Sequence, residues 1–104
     1  MRTYELMFIL QDEMEEEAVT TYVAGIQQVM TDNGGEVIDV DVRGRRRLAY
    51  PIRKRRHGIY TLINARLEHT AILEVERALK LSEDVLRYLV IRQDETEEAT
   101  ETEE

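Results

Sequence analysis

The chain has 104 residues, 42% of them hydrophobic and 35% charged, with a formal net charge of -8. That length fits one domain with a single modest core and leaves too little chain for a large catalytic cavity beside it. Cysteine is absent, which excludes disulfides, thiolate nucleophiles and cysteine-based zinc sites together. No apolar run approaches a bilayer span, and the opening MRTYELMFIL lacks the layout of a signal peptide. The expected location is the cytoplasm, with no membrane involved and no small-molecule substrate implied.

Arg2 to Leu10 alternates, with Tyr4, Leu6, Phe8 and Leu10 on one face and Glu5, Met7 and Ile9 on the other. This predicts a strand, and its two partly apolar faces predict a central place in a sheet. Asp12 followed by Glu15 predicts a reciprocal cap at the start of a helix. Val19, Tyr22, Val23, Ile26 and Met30 then recur at helical spacing, and Asn33-Gly34-Gly35 ends the helix. Glu36 to about Arg47 alternates again, with Ile38, Val40 and Val42 set against Asp39, Asp41 and Arg43. Tyr50-Pro51 breaks the pattern, because proline cannot donate to a ladder. A third strand runs from His57-Gly58 to Leu67. Thr70 is a suitable N-cap for a second helix with an inner stripe of Ile72, Val75, Ala78 and Leu79. Val85 to Arg92 reads as a last, strongly apolar strand.

The order strand, helix, strand, strand, helix, strand gives an α+β, ferredoxin-like βαββαβ fold: a four-stranded antiparallel sheet with both helices on one face. The expected domain is 1–93, and 94–104 is an expected disordered acidic tail. That tail, DETEEATETEE, has seven acids, and setting it aside leaves 15 acids against 14 bases. The acidity of the chain is therefore mostly a property of its end.

Against this background stands RGRRRLAYPIRKRR, residues 43–56, with eight cations and no acid. Cations this dense repel one another unless solvated or neutralised by a polyanion. Arginine suits phosphate through its planar fork of donors. The expected extended hairpin, 43–57, would carry these residues beyond the domain. A solvated loop, or one paired with the acidic tail, is the plainer alternative; phosphate-backbone binding is the favoured reading. Arg2, Arg66, Arg87 and Arg92 lie at strand ends or on the open sheet face; each alone reads as an ordinary surface charge, and together they favour an anionic ligand on that side. Met7, Ile9, Leu62, Leu89 and Ile91 would form an exposed apolar patch on that face, of the kind that marks a partner surface. Leu48 and Ile52 read as anchors that need a partner unless the loop folds back. Tyr50 stacks on a base, sits against a protein partner or packs locally at the bend made with Pro51.

Signals for catalysis are absent. There is no glycine-rich phosphate loop, no Ser-His-Asp set and no buried carboxylate pair to be placed. His57 and His69 fall at opposite ends of the third strand, too far apart for a shared metal. No catalytic residue, metal or other cofactor is expected. Asn64 and the arginines invite comparison with acylphosphatases of the same topology, but no phosphate-cradling loop follows the first strand.

The segment Gly44-Arg45-Arg46-Arg47-Leu48-Ala49-Tyr50-Pro51-Ile52-Arg53 closely resembles the signature of the bacterial small-subunit ribosomal protein S-six (S6) family. The resemblance extends from Met1 to about Gln93. It includes Met1-Arg2-x-Tyr4-Glu5, Gly34-Gly35 before Val37, Gly58-Ile59-Tyr60 and Val85-Leu86-Arg87. Arg53-Lys54-Arg55-Arg56 is more cationic than the family pattern. The resemblance implies a structural, non-enzymatic role in the platform of the small (30S) subunit. It implies binding to the central domain of small-subunit ribosomal RNA, as a heterodimer with ribosomal protein S-eighteen. The expected RNA contacts are Arg2, Arg45, Arg46, Arg47, Arg53, Lys54, Arg55, Arg56 and Arg87. The expected protein-partner contacts are Met7, Leu48, Ala49, Tyr50, Ile52, Leu62 and Leu89. The competing reading is a free RRM-like single-stranded RNA-binding protein, which shares the topology but stacks bases on aromatics of the central strands.

Overall fold

The elements follow in the order β1 (Arg2–Gln11), α1 (Glu16–Asp32), β2 (Glu36–Ile52), β3 (Arg55–Leu67), α2 (His69–Leu81) and β4 (Val85–Gln93). The structure is a computed structural model that describes residues 1–93, so the expected acidic tail lies outside the described residues. All pairings are antiparallel and the sheet order is β2-β3-β1-β4. The ferredoxin-like βαββαβ arrangement expected from the sequence is the one observed. No helix of the described residues is long and apolar enough to cross a membrane.

Alternation decides which face of each strand is buried. In β1, Tyr4, Leu6, Phe8 and Leu10 all point to the helical layer and are buried. They meet Val19, Val23, Ile26 and Met30 of α1, Ile72, Val75 and Leu79 of α2, and Ile59, Ile63, Ala65 and Leu67 of β3. Each buried Val, Leu, Ile, Phe or Met side chain among them contributes about 1.5–3 kcal/mol by leaving water. The Phe8 and Tyr22 rings meet edge to face at 5.9 Å. Helix α1 ends as the sequence predicts. Gly34, at φ +84°, donates to the Thr31 carbonyl at 3.0 Å, and Gly35 donates to the Met30 carbonyl at 2.8 Å. This paired closure satisfies carbonyls that the last turn leaves free.

Three local expectations fail for identifiable reasons. Asp12 does not cap α1; the N-cap is Glu15, with no side-chain hydrogen bond, because Asp12 turns to two arginines of the hairpin. Helix α2 begins one residue before Thr70, with Glu68 at its N-cap. In β2 the ladder register shifts between Val37 and Asp39 and again between Val42 and Gly44. These bulges leave Ile38 and Val42 about half exposed, while Val37 and Val40 pack on the core.

Candidate nucleic-acid and partner interface

The basic hairpin does not stand away from the domain. The β2–β3 ladder holds from Arg45↔Ile59 to Arg47↔His57 and closes with Ile52↔Arg55. Residues 48–51 therefore bulge opposite Arg56 alone. The ladder breaks over Tyr50-Pro51 as expected, although the strand β2 extends on to Ile52. Arg53 and Lys54 form the tip, both in the left-handed region at φ 52° and 66°. That pair of positive φ angles suits a two-residue hairpin turn, at a cost that glycine would avoid.

The bulge folds the hairpin back onto the open face of the sheet. Leu48 is 6% exposed and packs with Ile9 and Leu86, flanked by Met7, Ile52 and Tyr60. Gly58 makes this approach possible. A Cβ there would lie 2.3 Å from Ile9 Cγ2 and 3.4 Å from Leu48 Cδ2. The expected exposed apolar patch is thus divided. Ile9 is covered by the chain's own hairpin. Leu62, Met7 and Leu89 stand side by side across β3, β1 and β4, with Leu89 at 45% exposure and Ile91 at 37%. Leu48 is committed inside the chain and does not offer its side chain to a partner. Ile52 is half-buried in the same cluster, while Ala49 and Tyr50 remain exposed.

Polar contacts hold the hairpin as well. Arg55 Nη1 donates to Asp12 Oδ1 at 3.0 Å, and Arg45 Nη2 approaches Asp12 Oδ2 at 3.4 Å. Arg53 Nη1 donates to the Glu83 carbonyl at 3.1 Å. Arg87 donates to the Tyr50 hydroxyl, with its guanidinium 5.9 Å from the centre of the Tyr50 ring. Arg43 pairs with Asp41 at 3.0 Å. By contrast, Arg46, Arg47, Lys54 and Arg56 are exposed and make no side-chain ion pair or hydrogen bond among the described residues.

The nine expected RNA contacts therefore sort into groups. Four are uncommitted cations on the hairpin. Arg45, Arg53 and Arg55 also position the hairpin. Arg87 lies under Tyr50, beside the others. Arg2 lies apart, at the opposite end of β1, roughly 30 Å away along a ten-residue strand. It shares that end with Arg66 and Arg92 through the register Thr3↔Arg66 and Tyr4↔Arg92. Sequence reasoning missed Asp12 as the acid that seats the hairpin and Lys80 as a cation beside its tip. The basic run gave a reason to seek an acidic counterpart, but nothing local to Asp12 marks it as the one.

An open face suited to base stacking would present aromatics from β1 and β3. Here it presents Tyr60 alone, and Tyr60 is packed against the Leu48 cluster. That disfavours the RRM-like alternative. Among the described residues, no three His, Asp or Glu side chains are grouped to hold a metal.

Comparison with known proteins agrees with the motif. The family model for ribosomal protein S6 matches residues 3–92. The small ribosomal subunit protein bS6 of Moorella thermoacetica is 43% identical over 95 residues, covering 91% of this chain and 97% of that protein. The bS6 of Synechococcus elongatus is 47% identical over 91 residues, covering 88% of this chain and 85% of the relative. The crystal structure of 30S ribosomal protein S6 from Thermotoga maritima superposes with a TM-score of 0.84 at 28% identity, covering 88% and 87% of the two chains. These relatives are structural ribosomal proteins, not enzymes. The chain belongs to the ribosomal protein S6 family of the small ribosomal subunit.

Proposed function

We propose that this protein binds the central domain of small-subunit ribosomal RNA together with ribosomal protein S-eighteen, in the cytoplasm, as the platform assembles. The observation that carries this reading is the division of labour on one side of the molecule. Arg46, Arg47, Lys54 and Arg56 project as uncommitted cations, which suits phosphate. The row Leu62, Met7 and Leu89 offers an apolar strip beside them, which suits a protein. Tyr50 and Ala49, exposed on the folded-back bulge, border both surfaces. RNA affinity is then shared with the partner, which fits a domain that is nearly neutral without its tail.

The test separates the two surfaces. Leu89→Glu is expected to abolish the one-to-one complex with purified S-eighteen in analytical ultracentrifugation. The pair Arg46→Glu and Arg47→Glu is expected to leave that complex intact and to lose central-domain RNA. If both variants fail in the same assay, the division is wrong. Deletion of residues 94–104 is expected to leave the melting temperature unchanged; if those residues mask the basic run, deletion also strengthens RNA binding at low salt and does little at high salt.

A further inference from the structure

The corner between α2 and β4 and the tip of the hairpin border an open cleft of about 350 Å³. It is lined by Arg53 of the tip, Lys80 of the last turn of α2 and Arg87 of β4, together with Ser82, Val85 and Leu86. No carboxylate lines it among the described residues. Its volume falls at the small end of ligand sites, which run to roughly 300–1,000 Å³.

The cleft is pre-formed. Its α2–β4 corner is tied to the end of β1: Gln11 donates from its backbone N–H to the Asp84 carbonyl at 2.8 Å and from Nε2 to Asp84 Oδ1 at 3.1 Å. Asp84 N–H in turn donates to Ser82 Oγ at 3.2 Å. The two arginines are held by contacts of the folded-back hairpin, Arg53 on the Glu83 carbonyl and Arg87 on Tyr50. The carbonyl end of α2 disfavours an anion here. Ser82 N–H closes on the Leu79 carbonyl at 3.3 Å, and Lys80 offsets what remains of the dipole. Lys54, next to Arg53 at the tip, links the cleft to the free cations of the hairpin.

We infer that this cleft takes one phosphate of the bound RNA strand, met by the cations that line it, Arg53, Lys80 and Arg87. The inference rests on the proposed RNA binding and adds Lys80 and Ser82, which lie outside the basic hairpin. A polyanion laid along the hairpin runs into this corner, and planar guanidinium forks grip phosphate with two bonds. Closure of the hairpin therefore completes an RNA site that neither segment has alone.

The test compares Lys80→Gln with Arg77→Gln, a second exposed cation of the same helix that pairs with Glu74. The probe is a transcribed central-domain fragment of small-subunit rRNA, with S-eighteen present, across a salt series. Lys80→Gln is expected to lose about three- to tenfold in affinity and to flatten the salt slope by about one contact. Arg77→Gln is expected to change neither, and S-eighteen binding without RNA is expected to be equal for both. If both variants keep full affinity while the unmodified chain binds, the cleft is contradicted and the RNA reading stands. If Lys80→Gln weakens the protein–protein complex without RNA, the cleft is a carboxylate site and the inference falls. If the unmodified chain binds no rRNA even with the partner, both readings fall.

Discussion

Arg55 and Asp12, 43 residues apart in sequence, meet at 3.0 Å and seat the basic hairpin against the end of β1. The pair is mostly shielded, with side-chain exposures of 32% and 19%, and Arg45 shares the same carboxylate at 3.4 Å. Asp12→Asn removes the charge and keeps the shape. The expected loss is about 1 kcal/mol of stability, at the upper end for partly exposed pairs. Amide exchange should quicken in residues 45–58 and stay unchanged in α1. Uniform quickening across the domain would show that Asp12 supports the whole fold and not the hairpin.

The second hold on the hairpin is steric. Leu48→Ala should cost about 2–3 kcal/mol, because Leu48 is buried against Ile9 and Leu86. Gly58→Ala should cost about 1–3 kcal/mol by driving a Cβ to 2.3 Å from Ile9 Cγ2. Denaturant melts of both variants check this. Wild-type stability in either would mean that the hairpin is not seated on the sheet in solution.

Lys54 offers a separation of stability from function. It holds φ at 66° without being glycine, which costs on the order of 1–2 kcal/mol. Lys54→Gly should therefore raise the melting temperature while lowering RNA affinity and its salt slope. A stability gain with RNA binding unchanged would remove Lys54 from the RNA surface.

Tyr22 carries a buried hydroxyl with no hydrogen-bond partner among the described residues. Burial raises its phenol above the ordinary 10.0; the Ser82 hydroxyl, close by but outside hydrogen-bonding geometry, lowers it in part, and the Asp84 charge raises it further. The folded state thus holds the proton more tightly than the unfolded chain. The associated stability is complete below pH 10 and is lost as pH rises through the folded value. Tyr22→Phe should be neutral or stabilising by up to about 1 kcal/mol, because it removes an unpaired buried group. It should also flatten the loss of stability above pH 10, read by melts on either side of that value. An unchanged alkaline profile would contradict the account of Tyr22.

The sheet was legible because burial there is periodic. Tyr4, Leu6, Phe8 and Leu10 announce one inward face, and Gly34-Gly35 after Asn33 announces a helix end by a local rule. What escaped depends on distance or on bulges. A one-residue bulge in β2 moves Ile38 out and Val37 in, and no local residue type forces it. Asp12 looks like a helix cap until Arg55 arrives from the other side of the chain. Leu48 looks like an anchor for a partner until Gly58 makes room for it against Ile9. The tip at Arg53-Lys54 lacks the Asn or Gly that marks such turns, so the sequence points to a longer, looser arm. The cations that remain free, Arg46, Arg47, Lys54 and Arg56, were legible as a run; their division from Arg45, Arg53 and Arg55 was not.

The most direct measurement is the affinity of the full chain for a central-domain rRNA fragment across a salt series, with and without purified S-eighteen. The account predicts tight binding only with the partner, with a steep salt dependence that falls when Arg46 and Arg47 are neutralised. Equal binding of any single-stranded RNA by this protein alone would contradict it.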